Sequence, residues 1–171
     1  MDISKLSKTQ KLTISAMVIA LYVVVMYFTQ EFAFGAYQIR IATAFYSLSY
    51  LFPFLVLPLG ISNFLSNLLG GLGLIDMVGG CLVGMLTSYL IVLIKRKKWN
   101  PFLTIIPIIL IPGLGVSTWL SYLLKMPYAP LAISLCIGQI IPAVCGALLI
   151  QTLKRVFVMP VSAVNTDNQT N

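Results

Sequence analysis

The chain has no histidine, and only four of its 171 residues are Asp or Glu. Without imidazole it lacks the usual general base and the commonest nitrogen ligand for metals. No serine or cysteine stands in a recognisable triad, and no acidic or thiol cluster has metal-ligand spacing. A membrane enzyme therefore has little support, and no metal is expected. The three cysteines, Cys81, Cys136 and Cys145, lie in apolar runs and read as small hydrophobes, not as a disulfide framework. The glycines of GGLG at 70–73 are not followed by Lys-Ser or Lys-Thr, so there is no phosphate loop. No cofactor of its own is expected, and any ATP use falls to partners. Charge of either sign is scarce as well, at 9% of residues. A soluble domain of this size would cover its surface with charge.

What is present is apolar. Hydrophobic residues make up 59% of the chain and the mean hydropathy is +0.98. The composition predicts one all-α integral membrane domain. Residues 1–11 form a basic N-terminus, 12–155 the membrane domain, and 156–171 a polar tail expected to be disordered. The apolar run 12–28 is too long for a signal core and no small-x-small site follows, so it is helix 1. The next helices are placed at 39–52 and 56–70, because Pro53 and Pro58 punctuate the middle of the stretch. Three more are expected at 75–94, 101–124 and 131–153. Pro107 and Pro112 fall inside the fifth. Two internal prolines free carbonyl groups, which is tolerated against protein or a cavity.

The placement of charge sets a topology. Lys5, Lys8, Lys11, the run Lys95 to Lys98, and Lys154 with Arg155 belong on the cytoplasmic side. The number of crossings between successive basic clusters is then even. This predicts a six-transmembrane-helix bundle with both termini cytoplasmic, leaving Arg40 and Lys125 outside. The net charge of +7 thus marks membrane ends, and no nucleic-acid partner is expected.

Arg40 and Asp76 are the two charges of the stretch Gln38 to Tyr89. Charge inside a bilayer is costly and sits at an interface, in a pair or in a polar cavity. They read either as interfacial anchors or as a solute site. Trp119 and Tyr122 fall in the same outer half; Asn67, which shares a helical face with Asn63, and Gln139, near the middle of helix 6, are neutral amides that could complete the set. The two aromatics suit a pocket or an interfacial belt. Phe32, Phe34 and Tyr37 lie in the loop 29–38 and suit a belt or a lid whose rings stack on a flat solute. Ala16 and Ala20 share one face of helix 1, where small residues allow close approach. That approach can be made by this bundle or by another protein.

The stretches Gln38-Ile39-Arg40, Asn67-Leu68-Leu69-Gly70-Gly71 and Gly73-Leu74-Ile75-Asp76 resemble the queuosine-precursor family of substrate-binding subunits of energy-coupling factor transporters. The resemblance runs from about Ile14 to Lys154. It implies a six-helix protein of a bacterial or archaeal cytoplasmic membrane. Such a protein binds a small heterocyclic solute from outside and topples when two cytoplasmic ATPases drive the complex. It also implies that Ala16 and Ala20 face a transmembrane coupling subunit. Two positions depart from the family's pattern, which usually has glutamates there: Thr43 and Gln139. Neutral hydrogen-bonding groups at both points turn the expectation from the aminomethyl precursor toward a base with a neutral substituent. A subunit of the same architecture for another vitamin-like solute is the alternative. A purely structural scaffold leaves the outer polar cluster unexplained.

Overall fold

The computed structural model describes residues 6–34 and 38–158, the last three of them without their side chains. Every regular element among the described residues is helical. Helix α1 is Lys8–Phe28 and α2 is the short turn Gln30–Ala33. A 3-10 helix, Ile41–Tyr50, comes next, then a 3-10 turn, Pro53–Leu55, and α3, Val56–Asn67. Helix α4 is Leu74–Arg96, and a 3-10 turn at Pro101–Thr104 leads into α5, Ile105–Leu124. Helices α6, Tyr128–Gly138, and α7, Ile140–Val158, complete the order. Four segments are long and apolar enough to cross a membrane: Lys8–Phe28, Leu74–Arg96, Pro101–Leu124 and Tyr128–Arg155.

Three features differ from the sequence reading, each for a local reason. Helix α1 starts four residues before the apolar run because Ser7 and Gln10 form a capping box. Ser7 Oγ accepts from the Gln10 N–H at 3.2 Å, and Gln10 Oε1 accepts from the Ser7 N–H at 2.9 Å. The helix expected at 39–52 is 3-10, not α. Its ten residues rise about 2.0 Å each, so it reaches about 20 Å where an α-helix would reach about 15 Å. The single helix expected at 131–153 is two, joined at Gln139. Pro142 has no N–H to give the Gly138 carbonyl, which breaks the ladder there.

A three-residue period aligns side chains that an α-helix would fan apart. Arg40, Thr43, Tyr46 and Ser49 fall on one stripe of the 3-10 helix, and all four are buried. The 3-10 helix packs on α7 and α4, while α3 lies along α4 and α1. Tyr22 of α1 meets Tyr46 with their hydroxyls 3.2 Å apart. The corner after the 3-10 helix is tied to lysines. Lys95 Nζ donates to the Leu51 carbonyl at 3.1 Å, and Lys154 Nζ to Tyr50 Oη at 3.4 Å.

Candidate functional site

The site is built on the top of the stripe. Arg40 is 4% exposed, and a buried guanidinium needs acceptors. Its Nη1 donates to Asn67 Oδ1 at 2.9 Å and to Asn63 Oδ1 at 3.3 Å. The two asparagines are four apart on α3 and so present both amides to one side. Each amide donates its other end to α4: Asn63 Nδ2 to the Gly80 carbonyl at 2.6 Å, and Asn67 Nδ2 to the Asp76 carbonyl at 2.7 Å. Asp76 Oδ1 accepts from Trp119 Nε1 at 2.9 Å. Arg40 and Asp76 share no hydrogen bond; they are joined through Asn67.

Glycine makes this packing possible. A Cβ on Gly80 would overlap Asn67 Nδ2, and one on Gly79 would lie 2.8 Å from the Trp119 ring. At Gly71 and Gly73 the chain turns with φ of 66° and 88°, a region that favours glycine, and so delivers Asp76 into the first turn of α4. Phe34 lies under the Arg40 guanidinium, 5.0 Å from its Cζ.

Thr43 and Gln139 are 96 residues apart in sequence and touch. Thr43 Oγ1 lies 2.7 Å from Gln139 Oε1 and 2.7 Å from the Arg40 carbonyl. A hydroxyl has one proton. Both contacts are satisfied when Thr43 donates to the Arg40 carbonyl and the Gln139 amide is turned to donate its N–H to Thr43.

Between these groups is a small cavity lined by Gln38, Arg40, Thr43, Tyr46, Asn63 and Gln139, with Val83, Pro112, Val116 and Leu135 as its apolar wall. Its volume is ≈ 10 Å³, about the space one water needs. Arg40 Nε and Nη2, and Asp76 Oδ2, are buried without a hydrogen-bond partner. Two donors and one acceptor are therefore available to something else.

Of the residues the sequence singled out, Arg40, Thr43 and Gln139 line the cavity. Asn67, Asp76 and Trp119 stand behind Arg40 in one hydrogen-bonded chain. Tyr122 is 80% exposed and Phe32 is 64% exposed; neither joins the group. Tyr37 lies outside the described residues. Ala16 and Ala20 are both exposed on α1, so they do not serve this bundle's own packing. Sequence reasoning missed three polar lining residues. Asn63 was signalled by its spacing from Asn67. Tyr46 follows from the three-residue period. Gln38 needed its backbone, which turns at φ 43° to bring the side chain inward. No cluster of three or more metal-ligating side chains occurs among the described residues.

A profile of the family described as QueT transporter matches residues 12–155. The chain belongs to the QueT transporter family. Together with its apolar helices, this makes it a multi-pass membrane protein of a transporter, as the resemblance implied. No curated protein and no solved structure matches the chain. Within the QueT frame the matched span takes in the whole 3-10 stripe, both asparagines, Asp76, Trp119 and Gln139.

Proposed function

We propose that the chain is the solute-binding subunit of an energy-coupling factor importer, and that the Arg40 cavity binds a queuosine precursor or related deazapurine base. The observation that carries the reading is Arg40 itself: buried against the cavity, held in place by two amides, with the N–H groups of two nitrogens, Nε and Nη2, unspent. A guanidinium so positioned recognises a ring carbonyl or nitrogen. Asp76 Oδ2 accepts from a ring N–H or amine. Phe34, already under Arg40, offers a face on which a flat ring stacks. The cavity as it stands is too small for a base. Opening it exchanges the Thr43–Gln139 contact for contacts to the solute, at the point where α6 and α7 are already broken.

The six-span topology belongs to the same reading. The 3-10 helix begins beside Asn67 and ends where Lys95 and Lys154 reach the chain, at the basic end of the bundle. Its start and α3's end are thus at one face, and its end is at the other. Two short transits added to four long ones put both termini on the basic, cytoplasmic side. Both short transits are shielded by longer helices, so neither needs the full ~30 Å of a lipid-facing span. ATP hydrolysis falls to two cytoplasmic partners, reached through a transmembrane coupling subunit; the membrane is the cytoplasmic membrane of a bacterium or archaeon.

The test is titration of the purified protein with a panel of deazapurines and B-type vitamins. Binding of a deazapurine with a neutral substituent, such as the nitrile form, more tightly than the aminomethyl form is the expected result. Binding of a vitamin and of no deazapurine would assign the same architecture to another solute. Labelling of single cysteines from outside intact cells checks the topology: a probe at 125 is reached and one at 165 is not.

A further inference from the structure

At the basic end a groove lies between the C-terminal half of α4 and the start of α5. Its volume is ≈ 380 Å³, against ≈ 10 Å³ for the polar cavity measured in the same way. Leu90, Leu93 and Ile94 form one side, and Leu103, Ile106 and Leu110 the other. Lys97 and Trp99 stand at its mouth. From Leu90 to Lys97 the helix rises about 10 Å, so the groove runs that far along the surface from the interface.

The mouth is held in shape. The Trp99 N–H donates to the Ile94 carbonyl at 3.1 Å, and Lys98 takes a left-handed turn at φ 56°. This reversal sets Lys97 Nζ 4.9 Å from the Trp99 ring centroid. Of the four basic residues in the run, Lys95 is turned inward to the Leu51 carbonyl. Arg96, Lys97 and Lys98 are exposed. Among the described residues the acidic side chains are Glu31 and Asp76, and Asp76 belongs to the polar site at the other end. Nothing acidic in the described fold neutralises the rim.

We propose that this groove is a binding site for an anionic phospholipid, with an acyl chain along the Leu90–Leu110 walls and the phosphate on Lys97 and Lys98. The charge complementarity decides the occupant. An apolar trough alone suits any lipid tail or helix, but Lys97 at its mouth, within a run whose Arg96 and Lys98 are also exposed and unneutralised, selects a chain joined to an anion. Lysine stems lie along apolar surface while their heads stay at the headgroup level. Trp99, a residue that favours that level, marks the depth. A bound lipid here packs across the α4–α5 junction, on the side of those helices away from the 3-10 helix, and leaves the polar cavity untouched.

The experiment uses the full-length protein in detergent, with phosphatidylglycerol, phosphatidylcholine and inorganic phosphate as probes, read by native mass spectrometry and thermal shift. Wild type is expected to retain phosphatidylglycerol over phosphatidylcholine by about thirtyfold, the order expected from two lysines near a membrane anion, and to ignore inorganic phosphate. Ile106→Trp, which fills the trough at a half-exposed position, is expected to lose the lipid. Lys97→Gln with Lys98→Gln, two exposed changes that leave the fold intact, is expected to lose the headgroup preference. Equal retention of the two lipids by wild type overturns the proposal. So does inorganic phosphate competing as well as the lipid, or a trough protected only when another protein co-purifies.

Discussion

Helices α1 and α3 lie against one another and are opposites. Helix α1 has 21 residues, nearly all apolar along its centre, yet buries only Tyr22 and Met26. Helix α3 has 12 residues, and its buried ones include Ser62, Asn63, Ser66 and Asn67. In water the order would be reversed: the apolar helix would fill the core and the amides would face solvent. In lipid an apolar surface costs nothing to expose, while an amide must find a partner inside. The polar helix is central because it has hydrogen bonds to make with Arg40 and α4. The apolar helix is peripheral because nothing forces it inward, and its outer face, Met17, Leu21 and Val24 with Ala16 and Ala20, is left for lipid or another protein.

Gly80→Ala breaks the central side of this comparison most severely. It adds one methyl group and removes no charge, but the methyl overlaps Asn67 Nδ2. Displacing that amide leaves the Asp76 carbonyl without its donor and weakens the support of Arg40. Hydrogen bonds to charged groups are worth about 1.5–3 kcal/mol, and the buried orphans add to that. Solute binding should be lost, with a clear fall in melting temperature in detergent. If Gly80→Ala binds as wild type does, the amide network is not what positions Arg40.

Trp119→Phe comes next. It removes the N–H that Asp76 Oδ1 accepts together with the outer ring of the indole that packs over Gly79. Both carboxylate oxygens then lack a partner, since Oδ2 has none already. The loss is about 1.5–3 kcal/mol, an affinity fall of roughly ten- to a hundredfold by titration. An unchanged affinity would place Asp76 outside the machinery of the site.

Much of this was readable in the sequence, for reasons that can be named. Helices 4 and 5 were placed within a few residues because their apolar runs are long and end in basic or proline-containing turns. Arg40, Thr43 and Gln139 were legible as polar groups in apolar surroundings. Their arrangement was not. Thr43 and Gln139 meet only because the fold brings the 3-10 helix onto α7, and no local pattern reports such a pairing. The 3-10 winding is not signalled by the apolar run, which fits a period of 3.6 as well, although Arg40, Thr43, Tyr46 and Ser49 repeat at three. Whether the fold would use Ala16 and Ala20 inside or outside was undecidable from spacing alone, since a small-residue stripe fits either.

The Thr43–Gln139 contact sharpens a selectivity prediction. Thr43 and Gln139 are already in contact, 2.7 Å between oxygens, so glutamates at both positions would bring two carboxylates to about hydrogen-bond distance. Two carboxylates at that distance share a proton and act as one negative charge. Thr43→Glu with Gln139→Glu should therefore shift preference toward the aminomethyl form by the worth of one charged contact, about 1.5–3 kcal/mol. Each single replacement should give most of the same shift. Competition between the nitrile and aminomethyl ligands measures it. Additive shifts from the two single changes would rule out a shared proton.

The smallest effect on this chain alone is expected at Ala16 and Ala20, and its smallness is the point. Both are exposed, and the shallow apolar surface around them is formed by Ile14, Met17, Val18, Leu21 and Val24 from α1 alone. Replacing both by leucine adds apolar volume to a face that touches no other helix of the bundle. Exposed changes of this kind stay within about 0.5 kcal/mol, so melting temperature and solute affinity should hold. What changes is the distance of closest approach. A partner helix packed against small residues four apart is pushed outward by leucine side chains, and packing is the main force joining helices in lipid. Co-purification with the transmembrane coupling subunit should therefore fail while the isolated subunit still binds solute. Assembly that survives both leucines would leave this face to lipid. A loss of stability would show that α1 is less peripheral than its burial indicates, and the contrast with α3 would go with it.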